Sequence, residues 1–185
     1  MGYAIAEAAR DFGADVTLIS GPTSLVRPEG IQTIQVESAQ DMYEAVMEHF
    51  QHSDIVIKTA AVADYRPKYV ADNKIKNIKE TTPSFLSERS TFYKRSANKN
   101  APIFSWLRGR NERCGTICER KARAQNADMI VANNVVQEGA GFGTDTNIVT
   151  IFKRDGTAKQ LPLLPKSEVA KQILREIHYE IEGRL

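Results

Sequence analysis

The chain has 185 residues, 42% of them hydrophobic and 26% charged, with a formal net charge of +2. That length suits one domain with a real core, and the composition excludes the disordered and fibrous classes. No apolar run is long enough to span a bilayer, and "MGYAIAEAARDFGADV" lacks the layout of a secretory signal, so the expected location is the cytoplasm, with no membrane partner and with Cys114 and Cys118 as thiols.

"YAIAEAARDFGA" spaces Ile5, Ala8, Ala9 and Phe12 as one helical face, with Gly13 where a helix stop is expected. "DVTLIS" and "IQTIQV" read as strands separated by the Gly/Pro-punctuated loop "GPTSLVRPEG". Ser38 is placed to cap "AQDMYEAVMEHFQH", a helix whose Met42, Val46, Met47 and Phe50 share a face. "DIVIKTAAV" is almost continuously apolar, as central parallel strands are. "ADMIVANNV" reads as another buried strand. "IVTIFKRDGTAKQLPL" reads as a hairpin turning at Asp155-Gly156 with type I′ chemistry. The closing helix "SEVAKQILREIHYEIEGRL" has Ser167 as its expected cap and Val169, Ile173, Leu174 and Ile177 as its buried stripe. This alternation predicts an α/β fold with a mainly parallel sheet, helices on both of its faces, and a C-terminal hairpin plus helix.

Between Lys79 and Arg123 the periodicity fails, and "ETTPSFLSERSTFYKRSANKNAPIFSWLRGRNERCG" follows neither the strand nor the helix period. From Glu80 to Arg123 there are ten Lys/Arg against four Asp/Glu, so the rest of the chain is mildly acidic.

Two stretches carry candidate chemistry. Ligands of open α/β sheets bind beyond the carboxyl ends of the strands, where "KTAAVADYRP" is expected. Ala60, Ala61 and Ala63 let backbone approach a planar base or sugar closely. Asp64 is suited to accept from ribose hydroxyls or to help hold a metal ion, and equally suited to cap a turn. In "VADNKIKN", Lys74 and Lys76 alternate about Ile75 and would share one face of an extended segment, as a polyphosphate requires.

"MGYAIAEAARDFGADVTLISGPTSL", "TAAVADYRP", "NKIKN", "NADMIVANNV" and "GFGTDTN" stand in the order found in phosphopantothenoylcysteine synthetase, and the chain resembles that family over roughly residues 1–79 and 123–185. The resemblance implies a Rossmann-like three-layer sandwich and coenzyme A biosynthesis by a CTP-dependent ligase. The carboxylate of 4′-phosphopantothenate attacks the α-phosphate of CTP, releasing pyrophosphate, and the amine of cysteine then displaces CMP from the acyl-cytidylate. It also implies that Ala61, Ala63 and Asp64 border the nucleotide, and that Lys74 is catalytic, neutralising phosphate and developing charge. Lys121 falls on a phosphate-contacting lysine of the family, Gln125 on another, and Leu107 on a phenylalanine near the nucleotide. Mg²⁺ accompanies the triphosphate, and no dedicated metal site in the chain is expected. The family's synthetase domain dimerises and is normally fused to a flavin-dependent decarboxylase, to which FMN belongs.

The family carries a strand, a glycine-containing loop and a segment ending in "SSGK" ahead of its "MG". A chain starting at "MG" is therefore expected to be N-terminally truncated and to lack the first strand of the sheet. Where the family has "GFAAET" and "YAREK"-like segments, this chain has "FSWLRGRNERCGTICERKA". Codons compatible with Ile103 to Lys121, read one base later, admit "FLVGFAAETNxVEQYAREK". Residues 80–122 are accordingly expected to be an out-of-frame segment within a single, incomplete synthetase-like domain.

Other features have plainer readings. Cys114 and Cys118 have no spaced histidine partners, which disfavours a zinc site. Arg108, Arg110 and Arg113 with Trp106 and Tyr93 offer an RNA-binding alternative through residues 89–123, but no RNA-binding signature accompanies them, so nucleic acid is not an expected partner. "GAGFG" lacks dinucleotide-binding spacing and suits a loop beside the site. His49 and His52 lie at a helix end, where solvated or dipole-stabilised roles are usual. A nucleotide-binding Rossmann-like module without catalysis is the remaining alternative.

Overall fold

The computed structural model describes residues 1–60, 62, 65–67, 86–88, 103–109, 127–134 and 144–183. They belong to two units, Met1–Ala60 with Asn100–Leu185, and Ala61–Lys99.

The first helix, α1 (Gly2–Asp11), buries Ile5, Ala6 and Ala8. Gly13, at φ 86°, lets the chain turn back, so that Ala14 N–H reaches Ala9 O (3.0 Å) and Gly13 N–H reaches Arg10 O (2.8 Å). This double closure satisfies carbonyls that the helix end would leave open. Phe12, expected in the buried stripe, is 53% exposed, because the helix has ended before it.

The next strands, β1 (Thr17–Ser20) and β2 (Gln32–Gln35), pair in parallel as a two-stranded sheet of their own. The second helix, α2 (Ala39–Phe50), packs against β1. Its start is a reciprocal cap: Asp41 N–H donates to Ser38 Oγ (3.1 Å), and Ser38 N–H donates to Asp41 Oδ2 (2.8 Å). Ser38→Ala is expected to lower stability by about 1 kcal/mol, read as a shift in the urea midpoint with an unchanged slope.

The main sheet has the order β10–β9–β7–β6–β3. In it β3 (Val56–Lys58), β6 (Ile103–Gly109) and β7 (Met129–Asn134) are parallel. Against them run β9 (Val149–Lys153) and β10 (Ala158–Gln160), both antiparallel to their neighbours. Among the described residues β3 pairs only with β6, so the strand whose apolar run suggested a central place stands at the end of this sheet.

Elsewhere, β4 (Tyr65–Pro67) pairs antiparallel with β5 (Leu86–Glu88) in the Ala61–Lys99 unit. A short antiparallel pair joins β8 (Thr146–Asn147) to β11 (Leu164–Pro165). The sequence pattern shows no strand between Lys79 and Arg123, yet β5 and β6 lie there. For β6 the physical reason is tertiary: its backbone bonds to β3 on one side and β7 on the other, which outweighs a poor strand pattern.

The final helix, α3 (Lys166–Glu182), packs against α1. Ile5 and Ala8 of α1, Met129 and Val131 of β7, Val149 and Ile151 of β9, and Val169, Ala170, Ile173 and Ile177 of α3 close one core, with Leu174 partly buried against it. Ser167 does not cap α3. The helix begins earlier, at Lys166 after Pro165, because β11 pairs with β8 and Lys166 N–H donates to Asp145 O (2.9 Å).

The hairpin between β9 and β10 also differs from the two-residue turn expected. Gly156 N–H donates to Lys153 O (3.1 Å) and Lys153 N–H to Thr157 O (2.9 Å), which leaves three residues in the loop. Gly156 takes the left-handed conformation, φ 91°, that such a three-residue loop needs.

Candidate functional site

The registers bring the carboxyl ends of β3, β6 and β7 to one edge of the sheet. Lys58 is level with Ser105, and Arg108 and Gly109 are level with Asn133 and Asn134. The start of α1 lies at this edge, because a Cβ on Gly2 would stand 2.6 Å from Thr59 Oγ1, just beyond β3. Glycine there permits the close approach of helix and strand end. The β8–β11 pair brings the start of α3 to the same edge, since Val149 is level with Asn133 and Asn147, two residues earlier, is level with Leu164. Helix amino ends expose N–H groups and partial positive charge. The first turn of α1 has no side-chain cap and no acidic residue to offset them.

Two polar residues at this edge were not singled out from the sequence. Lys58 ends β3, and burial pulls its amine down to about 8. Asn133 is only 9% exposed, and its Oδ1 has no hydrogen-bond partner among the described residues. Both share a legible signal, a polar residue ending an otherwise apolar parallel strand. By contrast, the side chain of Asn147, also buried, is used locally, its Oδ1 accepting from Ile148 N–H (3.1 Å).

The residues expected to carry the chemistry, Ala61, Ala63, Asp64, Lys74 and Lys121, lie outside the described residues, as do Gln125, the two cysteines and the loop 139–143. Described elements bracket three of them, because β3 ends at Lys58 and β4 begins at Tyr65. Leu107 and Arg108 are in β6, an inner strand of the sheet, while Arg110 and Arg113 lie outside the described residues. Among the described residues no three His, Cys, Asp or Glu side chains converge as metal ligands, and no helix is long and apolar enough to cross a membrane.

Comparison with known proteins agrees with this architecture. The family model for the DNA/pantothenate metabolism flavoprotein C-terminal domain matches residues 1–180. The Coenzyme A biosynthesis bifunctional protein CoaBC of Bacillus subtilis (strain 168) is 46% identical over 179 residues, covering 96% of this chain and 44% of that protein. Its namesake in Vibrio vulnificus (strain YJ016) is 38% identical over 181 residues, covering 96% and 45%. The chain thus spans less than half the length of these relatives. The solved C-terminal domain of a Coenzyme A biosynthesis bifunctional protein CoaBC superposes with a TM-score of 0.80 at 46% identity, covering 98% of this chain and 83% of that one. The DNA/pantothenate metabolism flavoprotein from Streptococcus pneumoniae, 20% identical, shares the fold with a TM-score of 0.74.

Proposed function

Because this chain belongs to the DNA/pantothenate metabolism flavoprotein C-terminal domain family, we propose that its reaction is the CTP-dependent ligation of 4′-phosphopantothenate with cysteine. A carboxylate oxygen of phosphopantothenate forms a bond to the α-phosphorus of CTP as the bond to pyrophosphate breaks. The cysteine nitrogen then attacks the acyl carbon of the acyl-cytidylate, CMP leaves, and the amine's surplus proton is released as the amide forms. The observation that carries this reading is the 46% identity to CoaBC across 96% of the chain.

On this reading Ala61, Ala63 and Asp64 border the nucleotide, and Lys74 and Lys121 neutralise phosphate charge. Mg²⁺ enters with the triphosphate, so its ligands are mainly phosphate oxygens and water, with Asp64 as the protein group suited to assist. FMN has no part in this reaction and belongs to a fused decarboxylase. Dimerisation and a cytoplasmic setting complete the proposal.

The decisive assay is pyrophosphate release. Release is expected only with CTP and phosphopantothenate together, with the acyl-cytidylate accumulating when cysteine is omitted. CTP binding without release would replace this reading with that of a nucleotide-binding module.

For residues 80–122 the proposal is an out-of-frame reading, in which β6 occupies the place of "FLVGFAA". The coding DNA tests it directly: absence of a one-base shift that yields "GFAAET" would end the idea.

A further inference from the structure

We infer that Asp155–Gly156, in the loop of the β9–β10 hairpin, is a site of spontaneous backbone modification, from aspartate to isoaspartate, which Thr157 holds shut in the folded chain. The reaction needs no partner but water. The Gly156 nitrogen forms a bond to Cγ of a protonated Asp155 side chain. The carboxyl hydroxyl leaves with the Gly156 N–H proton as water, and a succinimide ring results. Water then reopens the ring. Cleavage of the new bond restores aspartate, whereas cleavage of the original backbone C–N bond leaves isoaspartate, with an extra carbon in the main chain and the mass unchanged. The usual obstacle to ring closure is a side chain on the second residue, and Gly156 has none. Asp155 and Gly156 are exposed, and nothing lies within 4 Å of where a Cβ on Gly156 would stand, so no neighbour bars the ring or the entry of water.

What restrains the reaction is hydrogen bonding of both reacting groups. Asp155 Oδ1 accepts from Thr157 N–H (2.8 Å) and from Thr157 Oγ1 (2.7 Å), the turn an aspartate makes with the backbone two residues on. These bonds fix the side chain. They also hold its carboxyl below the ordinary value, with the Lys153 charge a smaller aid. The carboxylate they favour is the unreactive form, because it has no hydroxyl to lose as water. Gly156 N–H is itself donated to Lys153 O (3.1 Å), which opposes the loss of its proton. The consequence of modification would reach past the loop. Lys153 N–H bonds Thr157 O (2.9 Å) across it, and Lys153 and Lys159, on its two sides, both hold Glu176. An extra main-chain carbon between them shifts that register and loosens the hairpin from α3.

Thr157→Val keeps the N–H and the shape of the side chain and removes the hydroxyl donor. The full chain, wild type and variant, is aged in warm, mildly acidic buffer and cut after lysine. The peptide Arg154–Lys159 is then resolved into aspartate and isoaspartate forms by chromatography with mass spectrometry. Isoaspartate is expected to form about fivefold faster in folded Thr157→Val than in folded wild type, the weight of one hydrogen bond. Thr157→Ser, which restores the hydroxyl, is expected to return to the wild-type rate. In urea, wild type and Thr157→Val should react at one common rate, faster than either folded chain. Equal rates in the two folded chains overturn the inference, as does an excess in Thr157→Val that persists in urea. A folded wild type that reacts as fast as the same chain in urea overturns it too, and that comparison does not depend on how any variant folds.

Discussion

Glu176→Ala is expected to cost about 3 kcal/mol of stability, the low end for breaking a buried ion pair. Glu176 is 6% exposed on the core side of α3, and it is held by two lysines of the hairpin. Lys159 Nζ lies 2.6 Å from its Oε1 and Lys153 Nζ lies 3.0 Å from its Oε2, while Lys153 also reaches Glu180 at 3.1 Å. This cluster ties the end of α3 to β9 and β10, so its loss loosens helix and hairpin together. Alanine leaves two ammonium groups facing a small cavity, and both retain access to water, which keeps the cost near the low end. Glu176→Gln keeps the shape and is expected to cost less. Denaturant unfolding of the two variants separates the charge from the packing.

The same cluster sets a pH dependence. Burial pushes the Glu176 carboxyl up, but hydrogen bonds from Lys159 and Lys153 and their charges outweigh it, and the net shift is below the ordinary 4.5. Because the folded value is depressed, this stabilisation is present above pH 4.5 and is lost as pH falls through the lower, folded value. Burial pulls Lys153 down, while Glu176 and Glu180 raise it to a net position above the ordinary 10.5, so its contribution is complete below that pH and fades above it. Acid unfolding of Glu176→Ala should therefore be flatter than that of wild type below pH 4.5.

Lys74→Ala is expected to reduce kcat/KM for ligation by about 100-fold or more, the usual weight of a group that meets charge developing in a transition state. Lys74→Arg is expected to recover part of this, because the positive charge survives while its planar head fits a point-charge role less well. The measurement is CTP-dependent pyrophosphate release at saturating cysteine. A Lys74→Ala chain with wild-type rates would remove this residue from the mechanism.

How much of this was legible in the residues differs from element to element. The stop of α1 was, because a glycine after an apolar helical face supplies the left-handed residue such an ending requires. The cap of α2 was, because Ser38 and Asp41 act through neighbours three positions apart. The burial of Val169, Ile173 and Ile177 was, because period alone puts them on one face. The cap of α3 was not: Ser167 is a good local cap, but the pairing of β11 with β8 fixes the helix start from outside. The exposure of Phe12 and the three-residue loop at Gly156 depend likewise on how the chain leaves the element.

The order of motifs from "MGYAIAEAARDFGADV" to "GFGTDTN" was sufficient to determine the family and its α/β class, because those signals are local and follow the chain. Only the tertiary structure could put Ile103–Gly109 between two strands, since β6 is held by partners 40 or more residues before and 20 or more after it. The same holds for Asn133. Its neighbours in sequence say only that it ends a strand, while the register with Val149 and the approach of Gly2 to Thr59 set it at an edge where two helix amino ends lie. Periodicity reports which face a residue takes, and long-range pairing alone decides what that face meets.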